Sequence, residues 1–456
     1  MVYYTYILKR RRKMKDNKIK KRLSPFQSIL FGFMLVNLVG ALLLMLPVSS
    51  QSGQTTPFLD ALFTSTSAVC VTGLIVFDTA TYWSYFGQAV ILTLIQIGGL
   101  GVVTVTTSIA LLSGRKIGLL QRSTMQESIS AQKIGGIVRL TRFILLTTFL
   151  AEVFGAAVML PTFIRDFGAR GIWMALFHSV SAFCNAGFDL MGVNSPFSSL
   201  TAYSASPVVN ITVMFLILFG GIGFLTWDDM LTHKFRLRRY RMQSKVVLTA
   251  SAFLVLLPAL YFFFAEFSEL KAGERVLASL FQAITPRTAG FNTTDLTLIS
   301  EAGIFIMIAL MLIGGSSGST AGGMKITTVG VLFASAASIF RRKDSASSFG
   351  RRISDDTVRH AVAILVLYLS LFIGGAVAIS TIEGLPMLTC LFEAASAVAT
   401  VGLTLGITPS LSAASHIILM ILMFLGRVGG LTLIYAAFSG TRHNVSKLPQ
   451  EKITVG

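Results

Sequence analysis

Charged residues are scarce in this chain. Asp, Glu, Lys and Arg make up 13% of its 456 residues, about half of the roughly 25% that is typical of soluble domains. Apolar residues reach 53%, and the mean hydropathy is +0.73. This composition excludes a disordered chain and a nucleic-acid-binding protein with a solvated fold. Because Lys and Arg outnumber Asp and Glu by 38 to 20, the position of the basic residues becomes the next question.

Cysteine is also rare. Cys70, Cys184 and Cys390 lie far apart in the chain, so neither a disulfide framework nor a CxxC zinc site is indicated. We find no nucleophile paired with a base and no phosphate-binding loop, and we therefore expect a protein that is not an enzyme.

Long apolar runs dominate what is present. Most of them are long enough to cross a bilayer core of about 30 Å as a helix. Their approximate positions are 28–48, 86–112, 143–163, 206–227, 246–265, 302–339, 361–382 and 414–438.

The basic residues are concentrated in every second connection. Segments 9–22, 113–142, 233–245, 341–359 and 440–456 contain 31 of the 38 Lys and Arg residues. Basic loops remain on the cytoplasmic side of a membrane. The pattern predicts a multi-pass protein of the cell membrane with both termini in the cytoplasm.

The opposite connections contain a fourfold repeat. Each has a short apolar segment with Leu-Phe followed by a glycine nine or ten residues after the phenylalanine. The repeat predicts four units, each consisting of a helix, a short re-entrant helix, a glycine loop and a second helix. The four segments read LFTSTSAVCVTGL, LFHSVSAFCNAGF, LFQAITPRTAGF and LFEAASAVATVGL.

Irregular backbone inside a membrane is tolerated only where it is buried in protein or lines water. Rings of carbonyl oxygens can replace the water shell of a cation, so the loops suit a monovalent cation. Uncharged residues precede each glycine, whereas a divalent-selective pore would more often carry a ring of carboxylates. Asp78, Asp189 and Asp295 follow three of the loops; they could concentrate cations at a mouth or belong to solvated loops.

Thr400 to Leu403 read TVGL, which resembles the front half of the potassium-channel filter TVGYG. The chain as a whole resembles the Trk/Ktr/HKT superfamily of potassium transporters from about Ser28 to Gly440, and is most similar to the bacterial Ktr-type membrane subunit. The resemblance implies an all-α integral membrane fold with eight transmembrane helices, arranged as four fused M1-P-M2 repeats around a pseudo-fourfold central pore. The loops depart from a channel filter in lacking its second glycine, and the third loop is one residue shorter and contains Arg287.

The resemblance also implies boundaries and a filter. The expected organisation is a basic cytoplasmic segment at 1–27, repeats at 28–112, 143–232, 246–340 and 360–440, basic cytoplasmic loops at 113–142, 233–245 and 341–359, and a cytoplasmic tail at 441–456. The expected potassium-binding selectivity filter comprises Val71, Thr72, Gly73, Asn185, Ala186, Gly187, Thr288, Ala289, Gly290, Thr400, Val401 and Gly402.

The third repeat contains a glycine- and serine-rich stretch that disfavours a regular helix. By resemblance it is an intramembrane gating loop below the filter; packing of small residues between helices is the alternative. By the same resemblance Arg427 faces the pore and restrains ion flow, or else ties the carbonyls of the third-repeat loop. The gate would comprise Gly314, Gly315, Ser316, Ser317, Gly318, Ser319, Thr320, Ala321, Gly322, Gly323 and Arg427.

The resemblance finally implies a homodimer, a cytosolic ring of nucleotide-binding regulatory subunits that holds ATP or ADP, and possible sodium dependence. The basic loops have two interpretations, as topology determinants that contact membrane lipid or as the docking surface for that ring. An alternating-access cation symporter and a non-selective monovalent cation pore remain alternatives, although four repeats of one orientation favour a channel-like path for potassium uptake.

Overall fold

The computed structural model of the protein describes residues 24–105, 118–129 and 136–430. Most of the predicted basic N-terminal segment, parts of the loop at 113–142 and of the fourth repeat, and the whole tail at 441–456 lie outside the described residues. The described chain is predominantly helical. In chain order its α-helices are α1 (Pro25–Leu44), α2 (Phe58–Cys70), α3 (Thr79–Tyr82), α4 (Tyr85–Leu100), α5 (Leu119–Ile129), α6 (Ile137–Phe167), α7 (Arg170–Cys184), α8 (Pro207–Gly221), α9 (Phe224–His233), α10 (Met242–Tyr261), α11 (Ala272–Ile284), α12 (Glu301–Leu312), α13 (Ile326–Phe340), α14 (Asp355–Glu383), α15 (Met387–Val398) and α16 (Ala413–Val428).

Short elements connect these helices. A π-helical turn, Phe262–Glu266, follows α10 a few residues after the internal Pro258. One departure from a purely helical chain is a small antiparallel hairpin of β1 (Ser347–Ser348) and β2 (Arg351–Arg352). The 3₁₀ turns are Pro47–Ser49, Met191–Val193, Thr201–Tyr203, Leu237–Arg239, Leu296–Leu298 and Thr408–Ser410.

Four of the described helices are long and apolar enough to cross a membrane, counting α10 with its π-helical turn. They are α1, α6, α10 and α14, one for each predicted repeat. Their ends carry local signals: Ser24 and Gln27 form a capping box at the start of α1, and Ser354 caps α14. Leu35, Phe149 and Leu257 are each 62% exposed. Exposed apolar side chains of this kind are typical of the surface that a membrane helix presents to lipid.

The second helices are interrupted within their apolar runs. Over the described residues of 86–112, 206–227 and 414–438, helices α4, α8 and α16 end at Leu100, Gly221 and Val428. A glycine with positive φ follows each end: Gly101 (86°), Gly223 (92°) and Gly429 (87°). Glycine adopts this left-handed backbone without steric cost and so ends a helix. Beyond Gly223, α9 turns by 97° from α8. By length the described helices therefore supply four crossings, or five if this bent pair is one span.

The short helices α2, α7, α11 and α15 form the interior. They begin and end within a few residues of the short apolar segments expected at 57–70, 171–184, 274–285 and 386–400. Each packs against the long helix that precedes it in the chain. The phenylalanines of the repeated Leu-Phe pairs are 0% exposed, and they are Phe63, Phe177, Phe281 and Phe392.

Candidate functional site

Each short helix ends in the same loop conformation. The residue two positions before the loop glycine has a left-handed backbone, with φ of 58° at Val71, 59° at Asn185, 73° at Thr288 and 53° at Thr400. Only a few per cent of non-glycine residues have positive φ, and it is uncommon for β-branched side chains. The glycine then has φ of 95°, 70°, 80° and 92° in the four loops. Four copies of one strained turn indicate a common functional requirement.

The four loops meet in a closed ring. Each glycine lies against the carbonyl oxygen of the residue that precedes the glycine of the next loop. The order around the ring follows the order of the repeats, and the fourth loop contacts the first. The contacts join Gly73 to the carbonyl of Ala186, Gly187 to that of Ala289, Gly290 to that of Val401, and Gly402 to that of Thr72.

The ring leaves no room for side chains at its glycines. A Cβ atom added to Gly73 would lie 2.5 Å from the carbonyl oxygen of Ala186, and one added to Gly187 would lie 2.9 Å from that of Ala289. At Gly290 and Gly402 the added atom would be closer still to main-chain oxygen. Glycine is therefore required both by φ and by the approach of a neighbouring backbone. All twelve residues predicted for the filter lie in this ring, and none carries a charge.

Hydroxyl groups of the short helices hold the loops. Ser67 Oγ accepts a hydrogen bond from the amide of Gly73, and Ser396 Oγ accepts one from Gly402, both at 3.0 Å. In the second and third loops the hydroxyls of Ser181 and Thr285 donate instead to main-chain carbonyls, both at 2.6 Å. Sequence reasoning missed these residues. The available signal was a hydroxyl residue six positions before three of the glycines and five before Gly290, in the shortened loop.

Arg287 does not join the ring. Its side chain is buried, and Nη2 donates to Ser251 Oγ of α10 at 3.0 Å. The Nε and Nη1 atoms have no hydrogen-bond partner among the described residues. The guanidinium therefore packs between the third loop and the long helix of its own repeat.

The segment between α12 and α13 is non-helical and packs against the fourth loop of the ring. Gly322 packs on the side chain of Thr400, and Thr320 Oγ1 donates to the carbonyl of Phe183 at 3.0 Å. The amide of Ser316 donates to the carbonyl of Gly221 at 2.9 Å. Thus the segment 314–323 lies at the break between α8 and α9. It contacts the second loop at Asn185 and the fourth loop at Thr400. Glycines permit this packing because a Cβ at Gly322 would overlap the Thr400 hydroxyl.

Two partly buried cations bond to this segment. Arg427 Nη1 donates to the carbonyl of Thr320, while Nη2 donates to the carbonyls of Gly98 and Gly99 at the end of α4. Lys325 Nζ donates to the carbonyls of Ala321 at 2.8 Å and Gly322 at 3.3 Å. Lys325 was not among the predicted gate residues.

Both cations line a cavity of about 250 Å³ next to the segment 314–323. Tyr368 and Glu127 also line it. The tyrosine hydroxyl donates to the carbonyl of Gly426 at 3.1 Å, so α14 buttresses the helix that carries Arg427. The side chains of Arg427 and Lys325 thus lie together on the side of the ring that faces the segment 314–323.

The three aspartates that follow the loops have different environments. Asp78 is 7% exposed and caps α3, and its Oδ2 accepts from the amide of Phe197 at 2.9 Å. The interpretation of Asp78 as a solvated loop residue is wrong, because its carboxylate is buried and accepts hydrogen bonds from the backbone amides of Ala80 and Phe197. Its role as a mouth residue stays a prediction. Asp189 is partly buried and accepts from the amide of Met191. Asp295 is exposed and lines an open cavity of about 590 Å³.

Long apolar helices around a ring of inward-turned loops define a multi-pass helical membrane protein. A family model described as "TrkH: Cation transport protein" matches residues 3–447. The chain belongs to this TrkH family of cation transport proteins. The resemblance to the Trk/Ktr superfamily is thereby confirmed.

Two curated relatives cover nearly the whole chain. The potassium/sodium uptake protein NtpJ of Enterococcus hirae is 39% identical over 451 residues, covering 96% of this chain and 99% of the relative. The Ktr system potassium uptake protein B of Bacillus subtilis is 38% identical over 450 residues, covering 97% and 99%. A solved structure, the potassium transporter TrkH of Vibrio parahaemolyticus, superimposes with a TM-score of 0.70 at 19% identity, over 92% of this chain and 85% of that one. This last likeness supports the fold.

Proposed function

We propose that the protein takes up potassium ions across the cell membrane through a channel-like pore whose selectivity filter is the ring of four glycine loops. The closed ring of glycine-to-carbonyl contacts carries this proposal. The names of two relatives, a potassium/sodium uptake protein and a potassium uptake protein, support potassium as the substrate.

The chemistry of the ring favours a monovalent cation. Main-chain oxygens replace the hydration shell at modest field strength, and no carboxylate among the twelve ring residues adds the charge that a divalent ion would favour. The membrane potential then draws the cation inward with about 2.3 kcal/mol per charge for each 100 mV. Because the ring contains one left-handed turn and one glycine per loop, we propose fewer binding sites than in a TVGYG filter.

We further propose that the segment 314–323 is the gate and that Arg427 stabilises its closed conformation. The gate would be closed here, because the segment contacts two filter loops and is bonded to Arg427 and Lys325. A cation path through the adjacent cavity would require the segment to move and the two positive charges to be displaced or screened. Arg427 thus combines both expected roles, electrostatic restraint and structural tie.

The complete architecture belongs to the same proposal. If each broken second helix counts as one crossing, the four long helices α1, α6, α10 and α14 bring the total to eight crossings. These crossings would form four M1-P-M2 units around one pore, with both termini in the cytoplasm. We also propose a homodimer and regulation by a cytosolic ring of nucleotide-binding subunits that carries ATP or ADP. Sodium is a candidate second ion, in keeping with the name of the E. hirae relative, a potassium/sodium uptake protein.

Cation flux into proteoliposomes tests the proposal. Purified protein should admit potassium in preference to sodium at rates well above about 10³ ions per second, the upper end of ordinary enzyme turnover. Slow, saturable flux would favour an alternating-access symporter. Equal potassium and sodium flux would favour a non-selective pore and would reject the filter as proposed.

A further inference from the structure

We propose that the turn after α9 is a binding site for the phosphate group of an anionic phospholipid. The site comprises residues 232–239, which we call the basic turn. The binding part of this inference does not depend on potassium conduction.

The shape of the basic turn suits a membrane surface. Helix α9 bends by 97° from the apolar helix α8. Since we take α8 as part of a membrane crossing, we place α9 along the membrane surface. Its start is fixed, because Trp227 is buried and Trp227 Nε1 donates to the carbonyl of Phe219 at 2.9 Å. Its far end is exposed: Leu231 is 62%, Phe235 99% and Leu237 60% accessible.

These apolar side chains alternate with cations. A surface element with exposed apolar side chains next to Lys and Arg is typical of segments that lie in the interfacial region of a bilayer. The apolar groups enter the acyl boundary while the cations remain at the level of the phosphates. A soluble partner would bury Phe235 only by forming a matching apolar pocket, whereas a bilayer supplies apolar surroundings directly. Charge complementarity and this exposure therefore favour a lipid over a protein.

The cations of the turn are available. Lys234, Arg236, Arg238 and Arg239 form no ion pair with any residue that the structure describes. The nearby carboxylates are used elsewhere: Asp228 accepts from Arg241 Nη2 at 2.8 Å, and Asp229 accepts from the hydroxyl of Ser244 at 2.6 Å.

The turn also has a concave side. A cavity of about 340 Å³ is lined by Thr232, His233, Lys234, Phe235, Arg236 and Arg239. It combines guanidinium, ammonium and hydroxyl donors, which bind phosphate oxygens well. The turn is held in shape because the Tyr240 hydroxyl donates to the carbonyl of Lys234.

The basic turn is connected to the segment 314–323. At the start of α9 the amide of Phe224 donates to the carbonyl of Gly318 at 2.7 Å. A lipid held at the end of α9 would therefore act on an element bonded to that segment. The expected effect on ion flux, unlike the binding itself, rests on the proposed function.

Titration of the full-length protein in detergent with palmitoyl-oleoyl-phosphatidylglycerol, followed by native mass spectrometry, tests the site. Each basic side chain near an anionic lipid contributes about fivefold to affinity, so Arg236→Gln with Arg239→Gln should weaken binding about 25-fold. Phe235→Gln retains the charge and should also weaken binding. The matched control, Arg341→Gln with Arg342→Gln, removes two exposed arginines at the end of α13 and should leave binding unchanged. Retained melting temperatures would show that the variants fold.

Four results would overturn the site or its assignment to an anionic lipid. Equal affinity of the double variant and the parent would reject it. Equal binding of palmitoyl-oleoyl-phosphatidylcholine would reject the assignment to an anionic lipid, and inorganic phosphate that binds as tightly as the lipid would reassign the turn to free phosphate. Loss of binding to a cytosolic nucleotide-binding ring with unchanged lipid affinity would reassign the turn to protein docking. If binding behaves as expected but potassium flux is absent, the lipid site stands and the proposed function fails.

Discussion

The guanidinium of Arg427 donates a hydrogen bond to the carbonyl of Thr320, which lies 107 residues away in the sequence. The same group reaches Gly98, at a separation of 329 residues. One side chain therefore joins the fourth repeat to the broken helix of the first and to the non-helical segment of the third. Hydrogen bonds from charged donors contribute about 1.5–3 kcal/mol each, so this tie contributes strongly to holding the segment against the ring.

Replacing Arg427 should release the segment. Arg427→Gln removes the charge and at least one of the bonds to carbonyl groups, and we expect basal cation flux in proteoliposomes to rise about tenfold or more. Arg427→Lys retains the charge but has a single donor nitrogen. We expect its basal flux to lie between that of Arg427→Gln and that of the parent. Flux of Arg427→Gln equal to that of the parent would count against a restraining role.

Gly402 tests the ring itself. Gly402→Ser places a side chain against the carbonyl of Thr72 at a φ of 92°, where a residue other than glycine is strained by about 1–3 kcal/mol. We expect the ratio of potassium to sodium flux to fall while the protein still assembles.

Gly406→Ser is the matched control for that variant. Gly406 has a similar φ of 90° but no neighbouring atom within 4 Å of an added Cβ. It carries the backbone strain without the steric overlap and should retain selectivity. Unchanged flux ratios in Gly402→Ser would remove this glycine from the filter.

Deleting Ser316 to Thr320 shortens the segment where it contacts α8 and the second loop. The deletion removes the bond from Thr320 Oγ1 to Phe183 and the bond to Arg427. We expect higher basal flux that no longer responds to nucleotide on a cytosolic partner. Thr320→Val removes only the hydroxyl and should produce a smaller increase. A deletion variant as tightly closed as the parent would show that the segment is not the gate.

Lys325 should act locally on the same segment. Lys325→Met keeps an unbranched side chain but loses both bonds to the carbonyls of Ala321 and Gly322. Hydrogen exchange at residues 314–323, read by mass spectrometry, should become faster because local opening costs less free energy. Ser338→Ala, which removes a hydroxyl bonded within α13, is the control. Equal exchange in parent and Lys325→Met would contradict a role for the ammonium.

Arg287 presents the opposite case, since it contributes one hydrogen bond at the cost of a buried charge. Replacing buried ionic groups with apolar residues of similar volume is often neutral or stabilising by about 1–4 kcal/mol. We therefore expect Arg287→Met to raise the melting temperature in detergent while potassium flux is retained. Ser251→Ala leaves the charge without its partner and should lower the melting temperature. A destabilised Arg287→Met would mean that the charge has a partner beyond Ser251.

Local patterns in the sequence were sufficient for the elements. The repeated Leu-Phe pairs predicted α2, α7, α11 and α15 within a few residues, because a short apolar helix and its glycine turn are encoded within about fifteen neighbouring positions. Hydropathy alone did not give the ends of the second helices. The apolar runs continue past Leu100 and Gly221, whereas α4 and α8 end there and a glycine with positive φ follows each end.

Asp78 shows the same limit within the site. Its position after a loop glycine suggested a solvated loop residue or a mouth residue, but its carboxylate is buried and accepts from the amide of Phe197, 119 residues away. A single sequence contains no signal for such a contact.

The sequence by itself determined the fourfold repetition, the apolar helices, the uncharged loops and the placement of basic residues in alternate connections. These properties depend on the backbone propensity of each segment and on its free energy of transfer from water to the membrane. Both are set by the residues of that segment, without contacts to the rest of the chain. Only the tertiary structure decided which carbonyl meets which glycine, where Arg427 and Lys325 donate, and which carboxylates are already occupied. Those contacts join groups up to 329 residues apart, and they exist only because the short helices pack at one centre and bring their ends together.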